Sequence, residues 1–163
     1  TIHKKNIDRF IFQEKIDGDE YTVSVVVNPE NTLLSVIPKR IIEKKGITNI
    51  AVTEFNESIV SMCRDITQKL APGNSYNLQL ILNHFNKKPY VFELNPRFST
   101  TVTLTIIAGV DEIMMPLNFY LQGKNNCTVN TKFKEDIVLI RSIHEDYMNV
   151  SDYNRKRFKI IHV

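Results

Sequence analysis

The chain has 163 residues, 42% of them hydrophobic, and a formal net charge of +3, the size and balance of one compact domain with a core of its own. No apolar run reaches about eighteen residues and the first residues carry no signal-peptide core, so the composition excludes a helical membrane protein and reads as cytosolic. Two cysteines, Cys63 and Cys127, are too few for a disulfide scaffold, the four histidines are scattered, and the basic residues are spread along the chain, so neither a zinc motif nor a nucleic-acid partner is indicated.

Residues 9–14 read as a strand, and the Asp-Gly core of residues 15–19 reads as a turn. Residues 20–27 and 32–43 are the next two strands, joined by a turn at 28–31. The polar, glycine-containing stretch 44–49 reads as a mobile loop. Between 56 and 70 the apolar residues Ile59, Val60, Cys63, Ile66 and Leu70 recur at helical spacing, with Asn56 as N-cap, Pro72 and Gly73 as the stop, and Cys63 buried. Strands follow at 75–83 and 89–97. Residues 101–108 form a short buried helix ended by Gly109, and Asp111 caps another, with Ile113, Met114, Leu117 and Leu121 on one side, its methionines filling core, and Gly123 closing it. Residues 137–143 and 157–162 read as two further strands. Strands at both ends with helices between predict an α+β domain with a largely antiparallel sheet.

The chemistry concentrates in the run PYVFELNPR, residues 89–97. On a strand, alternate side chains share a face, so Glu93, Asn95 and Arg97 line up roughly 7 Å apart from one to the next. Residues 75–83 also alternate, with Tyr76, Leu78, Leu80 and Leu82 on one face and Asn77 and Gln79 on the other. A hairpin centred near Asn86 sets Gln79 opposite Glu93 and Asn77 opposite Asn95. Mg²⁺ takes hard oxygen ligands, commonly one or two from protein and the rest from water and substrate phosphates. One carboxylate and neighbouring amide oxygens suffice only where a nucleotide supplies the remaining negative charge. The plainer alternative is a strand stopped by Asn95 and Pro96, with Glu93 and Arg97 as a solvated pair.

Five segments in order, FQEKIDGDEYTV (12–23), VIPKR (36–40), NLQ (77–79), ELNPR (93–97) and AG (108–109), resemble the C-terminal lobe of an ATP-grasp domain, in the carbamoyl-phosphate-synthase-like branch. The resemblance implies a lobe over residues 1–123, followed by an extension over 124–163. It implies ATP and Mg²⁺ as cofactors, with Mn²⁺ as an alternative metal. The backbone at Glu14 and Ile16 would clasp adenine, Gln13 would meet its exocyclic amine, and Glu20 would accept from the ribose hydroxyls. Glu93, Asn95 and Gln79 would hold the metal. Arg97 and Arg40 would contact the transferred phosphate or the acyl-phosphate intermediate, with Lys39 as the alternative to Arg40.

The implied activity is that of a ligase that phosphorylates a small carboxylate for attack by an amine or similar nucleophile. The alternative is a non-catalytic nucleotide-binding or interaction module that keeps the fold. Two departures stand out. The family's small residues after Asn-Pro-Arg are replaced here by Phe98, Ser99, Thr100 and Thr101, which alters access for substrate. The lobe that precedes this one in ATP-grasp domains is not in the sequence, so the expectation is a piece of a longer or split enzyme, inactive alone, with the preceding lobe as its partner. No membrane partner is expected, and homodimer formation is left open.

Overall fold

A computed structural model describes residues 10–122, 132–142, 147 and 149–152. Among these, six strands form one antiparallel sheet in the order β5-β4-β1-β2-β3-β6. The strands are β1 (Gly18–Val27), β2 (Leu33–Lys45), β3 (Ile47–Thr53), β4 (Tyr76–Asn83), β5 (Pro89–Asn95) and β6 (Val138–Ile140), and the helices are α1 (Glu57–Leu70), α2 (Val102–Ile107) and α3 (Met114–Gln122). The α+β, largely antiparallel architecture read from the sequence is therefore the observed one.

Alternation along β1 and β4 decides what lies on each side of the sheet. Tyr21, Val23, Val25, Tyr76, Leu78, Leu80 and Leu82 form one buried cluster with Ile59 and Cys63 of α1. Burial of each such large side chain contributes about 1.5–3 kcal/mol. Asn56 caps α1 by accepting from the Ile59 amide at 3.1 Å, and Ala71 ends it in the left-handed region. The opposite face carries Val26, Leu34 and Ile37 beneath Val110, with Met115 and Phe133 packed alongside. Polar residues of the β1, β2 and β4 strands share that second face, and the candidate site stands on it.

Several local expectations are corrected. Residues 10–14 form no strand: they run ahead of β1 with Phe10, Ile11 and Phe12 exposed. Gly18 is not a turn residue but the first residue of β1, paired with Asn83. The stretch 44–49 is not a mobile loop. It is the tip of a hairpin in which Lys44 pairs with Thr48 and Lys45 with Ile47 around Gly46, whose φ of 74° suits glycine. The hairpin's second arm, β3, was missed because its polar start masks the apolar run that follows.

The buried side of α3 is centred on Met115, which packs against the core, while Ile113, Met114, Leu117 and Leu121 are 40% exposed or more. The expected methionine filling thus holds for Met115 and not for Met114. Of the two late strands, Val138–Ile140 pairs with β3 and so joins the same sheet rather than standing apart. Residues 157–162, Cys127 and Gly123 lie outside the described residues.

Candidate functional site

The β4–β5 hairpin is closed by Asn83, whose amide donates to Lys88 O at 3.0 Å and whose carbonyl accepts from Lys87 at 3.1 Å. Its side chain adds bonds to the amides of Phe85 and Asn86. This turn sets the ladder so that Gln79 is opposite Glu93 and Asn77 opposite Asn95, the register that a centre near Asn86 predicts. A shift follows between Gln79 and Leu80, beyond the polar rungs.

The four side chains are not equivalent. Asn77 is buried, and its amide nitrogen donates to Thr22 Oγ1 and to Val23 O, both at 2.9 Å; it stitches β4 to β1. Asn95 keeps a buried amide nitrogen with no hydrogen-bond partner among the described residues. Glu93 is exposed and makes no ion pair among the described residues. Gln79 Oε1 accepts from Lys44 Nζ at 3.2 Å. Glu93 offers an exposed carboxylate, and Gln79 and Asn95 carry amide oxygens on the same face, that of Gln79 held by the Lys44 ammonium; such a set fits Mg²⁺ provided that a polyphosphate adds its charge and draws the ammonium off. No cluster of three or more His, Cys, Asp or Glu residues suited to a metal occurs among the described residues, so an all-protein cage is not what this surface offers.

Beside these rungs lies a polar cavity of about 190 Å³, walled by Thr22, Lys44, Asn77, Gln79, Arg97 and Ser99 among others. Lys44 reaches it because the pairing of β2 with β3 is irregular between Ile41 and Lys44. Strict alternation would have left Lys44 on the α1 side with Arg40; the irregularity turns it to the side of Thr22. Its ammonium bonds Glu20 Oε1 at 2.6 Å as well as Gln79. Arg97 holds the far wall, one of its guanidinium nitrogens donating to Phe98 O at 3.0 Å. Phe98 is 42% exposed and is not a lining residue, while Ser99 and Thr101 are buried and bond one another; the segment 98–101 lines the cavity with Ser99 and Thr100. A larger hollow of about 480 Å³ lies between β2 and α1, lined largely by Leu33, Leu34, Val36, Phe55 and Val60. It has none of the polar rungs and is not the candidate site.

The structure brings together Gln79, Glu93, Asn95, Arg97 and, through Lys44, Glu20. It does not bring the other expected residues to them. Arg40 pairs with Tyr21 across the ladder and so shares the α1 face, where its Nε meets Glu54 Oε2 at 2.7 Å; alternation puts it on the wrong side to join Arg97. Lys39 shares the site's face but is fully buried, its Nζ donating to Ser24 Oγ at 2.6 Å and to Thr105 Oγ1 at 2.9 Å. It reaches Thr105 of α2 and is not among the residues that line the cavity. Gln13 and Glu14 are exposed and Ile16 is half-buried on the irregular segment before β1, apart from the cavity walls.

Two residues that the sequence reading passed over shape the cavity. Lys44 was hidden by the irregular pairing. Arg141, just after β6, donates to Thr48 O and to Thr100 O, both at 2.7 Å, clamping the hairpin tip to the turn after Arg97. Nothing local in the sequence marks so long a connection. Arg141→Ala is expected to destabilise the fold by about 2 kcal/mol in urea unfolding, through loss of two charge-assisted bonds, and a change below about 0.5 kcal/mol would rule the clamp out.

The family model described as "ATP-grasp in the biosynthetic pathway with Ter operon" matches residues 6–143. No curated protein matches the chain in sequence. Among solved structures, the ATPase subunit of phosphoribosylaminoimidazole carboxylase from Aquifex aeolicus superposes with a TM-score of 0.64 at 13% identity, over 82% of this chain and 43% of that one. Urea carboxylase from Kluyveromyces lactis gives 0.54 at 12%, over 74% and 11%, and phosphoribosylamine–glycine ligase from Thermotoga maritima 0.51 at 18%, over 74% and 35%. At these identities the likeness is one of fold, and the chain spans less than half the length of each. No described helix is long and apolar enough to cross a membrane. With the family model covering most of its length, the chain belongs to the ATP-grasp family, in the group of the biosynthetic pathway with Ter operon.

Proposed function

We propose that this chain is the ATP- and Mg²⁺-binding lobe of a carboxylate–amine ligase, as the carbamoyl-phosphate-synthase-like pattern of its motifs suggests. The observation that carries the reading is the cross-strand pair Gln79–Glu93 beside a cavity walled by Lys44 and Arg97. Glu93 and the amide oxygens of Gln79 and Asn95 would hold the metal, whose positive charge would offset that of the nucleotide phosphates. Arg97 presents a planar fork that bonds two oxygens of a transferring phosphoryl group and stabilises charge as it develops. In the reaction so served, a carboxylate oxygen attacks the terminal phosphorus and ADP leaves. The amine then attacks the acyl carbon, phosphate leaves with the bonding pair, and the nitrogen gives up a proton to solvent or to the departing phosphate. The clamp at Arg141 keeps the cavity's two walls at fixed separation for the first step.

Calorimetric titration of ATP into the chain, with and without Mg²⁺, tests this. Mg²⁺ is expected to raise ATP affinity at least about tenfold in the native chain and to have no such effect in Glu93→Ala. Equal Mg²⁺ enhancement in both proteins would overturn the assignment of the metal surface. Binding without turnover once a preceding lobe is supplied would favour the non-catalytic module.

A further inference from the structure

Lys44 holds the Gln79 oxygen that the proposed metal surface would use. Its ammonium reaches across from β2 to an oxygen on each of two neighbouring strands, Glu20 Oε1 on β1 at 2.6 Å and Gln79 Oε1 on β4 at 3.2 Å. The side chain retains 35% exposure and lines the cavity together with Arg97. Rotation about its flexible stem therefore carries Nζ from the two oxygens into the cavity without disturbing the sheet. An ammonium donating to Gln79 Oε1 opposes a metal there twice, by using the oxygen's lone pair and by like-charge repulsion.

We propose that Lys44 is a built-in gate on the metal surface, a reading that rests on the proposed role of Gln79 and Glu93. While its ammonium holds Gln79 and Glu20, the surface rejects a bare divalent ion. A polyphosphate entering the cavity draws the ammonium away from Glu20, exchanging one anionic partner for another, and leaves Gln79 Oε1 free for the metal. Metal and nucleotide then bind as a pair, and metal alone does not bind first. The irregular pairing after Ile41 is what makes the device: without it Lys44 would lie on the α1 face and the gate would not exist.

The test uses Mn²⁺ alone as probe, its binding to the chain followed by water-proton relaxation, beside calorimetry of Mg–ATP. Lys44→Gln is expected to bind bare Mn²⁺ at least about tenfold more tightly than the native chain and Mg–ATP at least about fivefold more weakly. Lys44→Arg, which keeps the charge, stays at the native Mn²⁺ affinity. Lys44→Met gives the same pair of shifts as Lys44→Gln should the latter fold poorly. Unchanged or weaker Mn²⁺ binding in both neutral variants overturns the gate: a phosphate contact alone would leave Mn²⁺ binding unmoved, and a purely structural lysine would weaken both ligands. The Glu93→Ala change added to Lys44→Gln separates the two readings. Loss of the Mn²⁺ gain supports both, and a gain that survives places the ion elsewhere and overturns the metal surface itself. Glu93-dependent Mg–ATP binding with no Mn²⁺ gain in Lys44→Gln removes the gate and leaves the function standing.

Discussion

Gly18→Ala is expected to lower the free energy of unfolding by about 3 kcal/mol, the largest single-site loss foreseen for this chain. A Cβ built on Gly18 meets Leu82 O at 2.2 Å and Ile81 Cγ2 at 2.7 Å. The first is backbone of the neighbouring strand and cannot rotate aside. Relief requires β1 and β4 to part at the rung Gly18–Asn83, where the Asp17 carbonyl also accepts from His84 at 3.1 Å. The β4–β5 hairpin carries Gln79 and Glu93, so the clash propagates to the candidate metal surface. Gly73→Ala is the control. There φ is +67° but the added atom meets nothing nearer than Pro29 O at 4.0 Å, so only the left-handed backbone is penalised, by about 1 kcal/mol. Urea unfolding of the two variants decides the point, and equal losses would mean that the strands yield at Gly18.

Gly18 also shows why the sequence was read correctly in outline and wrongly in places. An Asp-Gly pair is a turn signal when only local chemistry is visible, yet this glycine serves a close approach between strands distant in sequence. The surroundings of Arg40 and Lys39 are likewise set by contacts distant in sequence. The motif made both plausible phosphate contacts, and strand alternation guarantees that neighbours face opposite ways, but only the tertiary packing shows that Arg40 faces Glu54 and that Lys39 is sealed under α2. By contrast, the helix 56–70 and the Gln79–Glu93 register were legible because their determinants are local: a capping asparagine, a helical apolar stripe, and a polar turn between two alternating runs. Lys44 and Arg141 escaped for the complementary reason. One depends on an irregular ladder and the other on contacts to Thr48 and Thr100, neither of which leaves a local sequence signal.

The pH dependence of stability is expected to run through Lys39. Burial pushes its pKa down to about 8, with the charge of Glu112 acting the other way. Below pH 8 the lysine is protonated in both folded and unfolded chains, so folding carries the cost of burying the ion. Between about pH 8 and 10.5 the unfolded chain still holds the proton and the folded chain does not. Stability therefore rises with pH across that window, at up to about 1.4 kcal/mol per unit and about 3 kcal/mol in all. Buried acids oppose it from higher pH. Burial pushes Cys63 and Tyr76 up to about 12 and raises Tyr21 further, so the folded chain keeps protons that the unfolded chain sheds above about pH 9 to 10, and stability is lost there. The native chain should thus gain about 1 kcal/mol between pH 7.5 and 9 and decline beyond. Lys39→Met removes the rise: its loss of the bonds to Ser24 and Thr105 is a constant offset, whereas the slope belongs to the titrating ammonium. Urea unfolding of both proteins at pH 7.5, 8.2 and 9 isolates that slope, because the two differ only in that side chain. Parallel lines would mean that Lys39 keeps its proton in the fold. A native slope that vanishes in the variant would show that the residue pinning α2, and through it the turn that walls the cavity, releases its proton near pH 8.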